Sequence, residues 1–311
     1  MFRREFLKAA ALCATGSVLA GTVRKQARKP NIILIMADDL GYECLGCNGG
    51  LSYKTPILDR LAESGVRFTH AHAQPLCTPT RVQIMTGKYN FRNYTQFGAL
   101  KPGEYTFGHL LQDAGYKTCV VGKWQLAGRA KRDEKPVKGT MPRKAGFDEH
   151  CLWQIKFKGT RYWRPSVNTN GTLRKDIDDK YGPDVFCDYG LDFIDRHAEQ
   201  PFFLYFPMAL THNPFIPTPD SGDADEARSA KSWKSDPRYF ADEVEYMDKI
   251  VGRILDKVES LGLGEQTLIV FTGDNGTNSQ IVSETVNGSI RGAKGKTIKA
   301  GTHVPLIVRW S

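Results

Sequence analysis

The chain has 311 residues, 41% of them hydrophobic, and a formal net charge of +9. A chain of this length and composition can bury one substantial core. The first 30 residues hold seven basic residues and one acidic residue, a net charge of +6 that leaves only +3 for the remainder. Because the excess positive charge is confined to the start of the chain, the composition argues against a nucleic-acid partner.

The start of the chain has the pattern of a bacterial export signal. Arg3-Arg4-Glu5-Phe6-Leu7-Lys8 matches the twin-arginine pattern, and the apolar run 9–20 that follows is too short to span a membrane in the mature protein. We therefore predict a twin-arginine (Tat) signal peptide over residues 1–20, a basic linker over 21–30 and one folded domain over 31–311. The implied partner is the Tat export machinery, and the implied location is the periplasm or the outside of a bacterial cell.

The first predicted strand leads to a pair of acidic residues. Residues 32–36 form a continuous apolar run, which is typical of a strand covered on both faces, and Asp38 and Asp39 follow it after one alanine. In open α/β sheets, sites form at the carboxyl ends of the strands. We therefore expect these two carboxylates to belong to a site.

The next motif combines a cysteine with an arginine one helical turn later. In Cys77-Thr78-Pro79-Thr80-Arg81, the proline is typical of the first turn of a helix, which predicts Cys77 at the helix N-terminus. Free backbone N–H groups and the positive end of the helix dipole favour an anion there. Arg81 lies on the same helical face and can donate two hydrogen bonds to an oxyanion. By itself, the pentapeptide is equally compatible with a buried cysteine before an ordinary helix.

The middle of the chain alternates strand-like and helix-like runs. Strands are predicted over 118–121, followed by Gly122-Lys123-Trp124-Gln125, and over 202–206, followed by Thr211-His212-Asn213-Pro214. Helices are predicted over 57–65, 107–114, 184–197 and 239–261. This alternation predicts an α/β fold with three layers, α/β/α, around a large and mostly parallel central sheet.

A later strand repeats the pattern of the first. Residues 268–271 are apolar and lead to Thr272-Gly273-Asp274-Asn275-Gly276. The two strands thus deliver three carboxylates and one amide, and such oxygen ligands suit a hard divalent cation such as calcium. Each pair alone is also common as a turn or a helix entry.

Together these blocks resemble the type I sulfatases, the formylglycine-dependent branch of the alkaline phosphatase-like superfamily. The resemblance runs from about Pro30 to the last residue and is most specific over 77–88, where the Cys77 motif precedes Met85-Thr86-Gly87-Lys88. It includes Arg291-Gly292-Ala293-Lys294-Gly295 before the final apolar run, 304–310.

The resemblance implies hydrolysis of a sulfate ester, in a sulfated carbohydrate or an aryl sulfate. It implies that a formylglycine-generating enzyme oxidises Cys77 to formylglycine, whose hydrated aldehyde is the nucleophile. One calcium ion would be held by Asp38, Asp39, Cys77, Asp274 and Asn275. The sulfate would be surrounded by Cys77, Arg81, Lys123, His212 and Lys294. His212 would lie near the leaving oxygen and donate the proton that the departing alcohol needs.

The chain departs from this family's pattern inside the predicted site and at its end. Gln125 stands where the family usually has a histidine, and an amide cannot accept a proton at neutral pH. The sequence stops at Ser311, where the family normally continues, so we expect the C-terminal subdomain to be missing. Two alternatives therefore stay open: a phosphate or phosphonate monoester hydrolase of the same superfamily, and a relative that binds sulfated glycans without hydrolysing them.

A long segment between the predicted strands is expected to be an insertion over the active-site face. Residues 128–180 are rich in lysine, arginine, glycine and proline. Trp153, Tyr162 and Trp163 within this segment could stack on a sugar ring or could form a small satellite core.

Overall fold

The computed structural model describes residues 29–129, 137–155 and 159–310. The predicted signal peptide, 1–20, and most of the predicted linker lie outside the described residues. Within the described part of the chain, no helix is both long and apolar enough to cross a bilayer.

The elements follow one another in the alternating order that the sequence predicts. The strands are β1 (Asn31–Ala37), β2 (Val66–Phe68), β3 (Lys117–Lys123), β4 (Gly128–Arg129), β5 (Val137–Lys138), β6 (Glu149–Trp153), β7 (Val167–Thr169), β8 (Thr172–Leu173), β9 (Phe202–Pro207), β10 (Thr267–Gly273), β11 (Val282–Thr285), β12 (Gly288–Arg291) and β13 (Leu306–Arg309). The α-helices are α1 (Pro56–Glu63), α2 (Cys77–Thr86), α3 (Asn90–Asn93), α4 (Phe107–Asp113), α5 (Gly182–Arg196), α6 (Ala224–Ser229), α7 (Phe240–Ser260) and α8 (Lys299–Thr302).

Nine of the described strands form one sheet in the order β2-β13-β10-β1-β9-β3-β6-β7-β8. Its five central strands, β10, β1, β9, β3 and β6, pair in parallel, whereas the strands at both edges pair antiparallel. Parallel strands need connections that cross over a face of the sheet, and here helices supply them. The predicted large central sheet is therefore confirmed, and it is parallel in its five central strands and antiparallel at both edges.

Alternate residues of the central strands pack into two different cores. On β1, Ile33 and Ile35 belong to the core that includes side chains of α5 and α7. Leu34 and Met36 belong to the core on the opposite face, which includes side chains of α2 and α4. Because successive side chains of a strand point to opposite faces, a strand covered on both faces must be apolar throughout. This explains the uninterrupted apolar run of the first strand and confirms the three layers.

The prediction for residues 128–180 is wrong in part, because this segment contributes to the central sheet. Within it, β6 pairs in parallel with β3, and β7 and β8 extend the sheet beyond β6. Trp153, Tyr162 and Trp163 are all buried and belong to the larger of the two cores. Of the two alternatives for these aromatic residues, the structure therefore favours packing, in the main core rather than in a satellite.

Candidate active site

Two adjacent parallel strands bring the acidic residues together. Ala37, the last residue of β1, pairs with Gly273, the last residue of β10, so the two segments that follow leave the sheet side by side. The backbone N–H of Asp39 donates to Oδ1 of Asp274 at 3.1 Å, and Nδ2 of Asn275 donates to Oδ1 of Asp39 at 2.8 Å. The side chains of Asp38, Asp39, Asp274 and Asn275 are completely buried.

Three cations face the three carboxylates: each carboxylate has one cation within 2.7 Å, and Nη2 of Arg81 also lies 3.8 Å from Oδ1 of Asp38. Arg81 donates from Nε and Nη2 to Oδ2 of Asp274, at 3.0 and 2.7 Å. Nζ of Lys123 lies 2.6 Å from Oδ2 of Asp38. Lys294, which follows the β11–β12 hairpin, places its Nζ 2.6 Å from Oδ2 of Asp39. The positive and negative formal charges of these six side chains therefore balance.

Burial and the neighbouring charges shift the pKa values of Asp38, Asp274 and Lys294. Burial alone would raise the pKa of the Asp38 carboxyl, but Lys123, His212 and Arg81 hold that pKa well below its usual range. Burial raises the pKa of Asp274, and the neighbouring Asp38 carboxylate adds to the effect while Arg81 opposes it. Burial would lower the pKa of Lys294, but the Asp39 and Asp38 carboxylates raise it above the usual value.

The cysteine lies beside this cluster at the start of a helix. Helix α2 begins at Cys77, and Leu76 before it is extended. The Cys77 side chain is buried, and its Sγ donates to Oε1 of Gln125 at 3.0 Å. Burial raises the pKa of the Cys77 thiol, so it is neutral at pH 7. Gln125, just after β3, has a left-handed backbone with φ of 54°.

The donor set at this edge fits a hard divalent cation. Oδ1 of Asp38 and Oδ1 of Asn275 are buried and have no hydrogen-bond partner among the described residues. One ligand atom each of Asp38, Cys77 and Asp274 lie within 4.8 Å of one another, and the same holds for Asp38, Asp39 and His212. Buried polar atoms without partners are unfavourable unless they bind something, and carboxylate and amide oxygens are the ligands that calcium prefers.

His212 approaches the cluster from the loop after β9. Its Nδ1 donates to the carbonyl oxygen of Asn213 at 2.7 Å, and its Nε2 lies 3.8 Å from Oδ2 of Asp39. Burial lowers the pKa of His212 to about 4, although the Asp38 carboxylate opposes this effect. The imidazole is therefore neutral at pH 7 before an anion binds.

The structure brings every predicted site residue into one cluster: Asp38, Asp39, Cys77, Arg81, Lys123, Gln125, His212, Asp274, Asn275 and Lys294. One feature differs from expectation: the three cations expected around the sulfate, Arg81, Lys123 and Lys294, each bind an aspartate directly.

Sequence reasoning missed supporting residues whose partners are distant in the chain. The Tyr162 hydroxyl donates to the carbonyl oxygen of His212 at 2.6 Å, fifty residues away. Thr277 accepts from the N–H of Gly41 at 3.0 Å and donates to the buried Glu43 at 2.6 Å, which links the segments after β1 and β10. Thr277 could have been predicted as a site residue, because it lies only two residues after Asn275. Nothing in the sequence connects Tyr162 to His212.

Comparisons with known proteins identify relatives of this chain. A family model described as Sulfatase matches residues 30–311. Human arylsulfatase A is 31% identical over 91% of this chain and 59% of its own length. The N-acetylgalactosamine-6-O-sulfatase of Bacteroides thetaiotaomicron is 29% identical over 92% of this chain and 68% of its own. The crystal structure of Ps i-CgsB in complex with k-i-k-neocarrahexaose is 27% identical with a TM-score of 0.73, over 91% of this chain and 66% of that one.

The Arg81–Asp274 pair should be a large contributor to stability. We expect Arg81→Met to lower the free energy of unfolding by about 3–5 kcal/mol, because it leaves a buried carboxylate without its cation. The measurement is urea unfolding in the presence of a chelator. Lys88→Met is the control, since Lys88 pairs with Glu104 with 46% of its side chain exposed. That change should cost less than about 1 kcal/mol, and equal costs for the two variants would contradict the argument.

Proposed function

Because the chain belongs to the sulfatase family, we propose that the whole protein hydrolyses a sulfate ester, with residue 77 as the nucleophile after oxidation of Cys77 to formylglycine. One observation carries this proposal: the Cys77 side chain, at the N-terminus of α2, lies within 4.8 Å of carboxylate oxygens of Asp38 and Asp274. The chain spans 59% of the length of arylsulfatase A, so the activity is proposed for the whole protein.

A sulfated carbohydrate is the proposed substrate class, with aryl sulfates as model substrates. The Bacteroides relative is named as an N-acetylgalactosamine-6-O-sulfatase, and Ps i-CgsB was solved in complex with k-i-k-neocarrahexaose. These names describe the relatives, and they support the proposal for this chain only by similarity.

The cations of the cluster would stabilise the charge that develops on the sulfate. A sulfate monoester has one negative charge, which its three non-bridging oxygens share, and further negative charge develops on the leaving oxygen as the ester bond breaks. Arg81, Lys123 and Lys294 would supply positive charge beside these oxygens. Lys123 and Lys294 would exchange their carboxylate partners for sulfate oxygens once the charges of Asp38 and Asp39 are neutralised. Bound by Asp38, Asp39, Asp274 and Asn275 beside residue 77, calcium would supply further positive charge next to the sulfate.

His212 would donate a proton to the leaving group. The departing alcohol needs a proton, and the Nε2 atom of His212 faces the cluster while Nδ1 is held by the Asn213 carbonyl. The negative charge of a bound sulfate would raise the low pKa of this imidazole, which would allow Nε2 to hold a proton and donate it.

Modification and export complete the proposal. A formylglycine-generating enzyme would modify Cys77, and the Tat machinery would export the protein of a bacterial host to the periplasm or beyond. The Arg3-Arg4-Glu5-Phe6-Leu7-Lys8 pattern supports the export route. Residues 31–311 would then form the catalytic part of the mature chain.

Cys77→Ala should abolish hydrolysis of p-nitrophenyl sulfate with the fold intact, because the side chain is small and its role is chemical. Mass spectrometry of the peptide that contains residue 77 should show a loss of about 18 Da relative to the thiol. Cys187→Ala is the matched control, since Cys187 is also a buried free cysteine but lies in α5.

Three results would contradict this assignment. Full activity of Cys77→Ala would exclude residue 77 as the nucleophile. A preference for p-nitrophenyl phosphate over the sulfate would favour a phosphate or phosphonate monoester hydrolase. An unmodified thiol in a protein that binds sulfated glycan without hydrolysing it would favour the binding-only alternative.

Removal of calcium with a chelator should both inactivate the protein and lower its Tm, because ligands that bind only the folded state stabilise it. Asp274→Asn should weaken calcium binding more than Asn275→Asp, since it removes a negative charge from the site. Isothermal titration calorimetry with calcium measures both variants. An unchanged Tm and an unchanged activity after chelation would show that these residues hold no metal.

Gln125→His should raise the steady rate of p-nitrophenyl sulfate hydrolysis by about 10- to 100-fold, on the scale of general-base assistance. The reason is that Gln125 contacts residue 77 but cannot accept a proton. Gln154→His is the matched control, because Gln154 also has a left-handed backbone and follows the adjacent strand β6. A rate that stays the same or falls in Gln125→His would indicate that Gln125 orients the substrate instead.

A further inference from the structure

Arg161 is a buried arginine in the segment that follows β6. It is only 8% exposed, and its Nη1 atom is buried without a hydrogen-bond partner. Within the described residues, Arg161 forms no side-chain hydrogen bond and no ion pair. Its guanidinium lies 4.2 Å from the ring centroid of Trp153 and 5.9 Å from that of Tyr162. Stacking on aromatic rings offsets only part of the cost of burying an unpaired charge.

The aromatic partners of Arg161 connect it to the site. Trp153 is the last residue of β6 and pairs with Lys123, the last residue of β3. The Trp124 N–H donates to the Trp153 carbonyl at 3.1 Å. On the other side, the Tyr162 hydroxyl donates to the carbonyl oxygen of His212. Arg161 is therefore held at the same carboxyl edge of the sheet, beside the segments that carry Lys123 and His212.

The nearby acid, Glu243, does not neutralise Arg161. Oε1 of Glu243 accepts the N–H of Ile216 at 3.1 Å, and Oε2 is buried without a partner. Burial raises the pKa of Glu243 well above its usual value, and Arg161 opposes this only in part. In the described part of the chain no ion pair joins Glu243 to Arg161, so the guanidinium of Arg161 remains available to a ligand.

We propose that Arg161 binds a second anionic group of the substrate, a carboxylate or a further sulfate, on the sugar that carries the reacting sulfate or on its neighbour. This inference rests on the proposed function, because it assumes that a sulfate ester occupies the site at Cys77. A guanidinium donates paired hydrogen bonds in a planar fork, which matches the oxygen atoms of both groups. Arg161 would thus select substrates with two anions over those with one.

The test compares three substrates: a monosulfated hexose, the corresponding disulfated hexose, and a disaccharide that joins the monosulfated hexose to a uronic acid. In Arg161→Met, the ratio of kcat/KM for a two-anion substrate to that for the monosulfated hexose should fall by about 10- to 100-fold. Arg161→Lys should recover part of this ratio. If the kcat/KM ratio falls in Arg161→Met only for the disulfated hexose, Arg161 binds a second sulfate. If it falls only for the uronic acid disaccharide, Arg161 binds a carboxylate. Arg228→Met is the matched control, because Arg228 also stacks on a tryptophan, Trp163, but is exposed.

A binding measurement separates this inference from the proposed function. In the Cys77→Ala background, calorimetry with the same three ligands and calcium should show the same Arg161-dependent preference. If wild-type protein hydrolyses none of the three, the proposed function fails, whereas an Arg161-dependent preference in binding still supports the inference. The inference is overturned if neither two-anion ligand is preferred, or if the preference survives in Arg161→Met.

The melting temperature tests the purely structural alternative. An unpaired buried cation contributes little to stability, so Arg161→Met should leave Tm unchanged or raise it. If Arg161 instead only stabilises the fold against Glu243, Arg161→Met and Glu243→Gln should both lower Tm by several degrees. A lower Tm in both variants together with an unchanged substrate ratio would overturn the inference.

Discussion

Three completely buried carboxylates can share one edge of a sheet only if positive charge surrounds them. Asp38, Asp39 and Asp274 meet that condition through Arg81, Lys123 and Lys294, and each cation comes from a different element. Like charges at this distance would otherwise force at least one carboxyl group to take up a proton. The order of the central strands and the position of α2 together bring the three cations to the three acids.

The same pairs connect stability with the proposed chemistry. The charges of the cluster balance through its own side chains, and both of its lysines are engaged with carboxylates. Calcium and a sulfate ester together would bring two positive charges and one negative charge, which frees the lysines for the sulfate. Arg81 differs from the lysines, because its two hydrogen bonds to one oxygen of Asp274 and a third to the Lys123 carbonyl hold it in place. We infer that Arg81 is the fixed part of the cluster and that the lysines are its adjustable part.

The sequence predicted the features that depend on neighbouring residues and missed those that depend on contacts between distant segments. The acids after β1 and β10 follow buried apolar strands directly, so the strand pattern alone indicated that they would meet. The four predicted helices are all present, with ends that differ from 57–65, 107–114, 184–197 and 239–261 by at most two residues. Strand β6 was missed because its sequence, Glu149-His150-Cys151-Leu152-Trp153, mixes polar and apolar residues inside a basic segment. Its burial comes from β3 and β7, which no local pattern reveals.

The residues that the sequence missed differ in kind from those it predicted. Groups that perform chemistry must stand at fixed positions relative to strand ends and helix starts, so short motifs identify them. Groups that recognise the rest of a substrate need only reach the site, and they occur in connecting segments whose positions depend on tertiary contacts. Arg161 and Tyr162 follow β6 in such a segment, and Tyr162 contacts the carbonyl oxygen of His212 because β6 joins the sheet beside β3. The strand that the sequence did not reveal is therefore what brings Arg161, the proposed specificity residue, to the edge of the sheet that carries the candidate site.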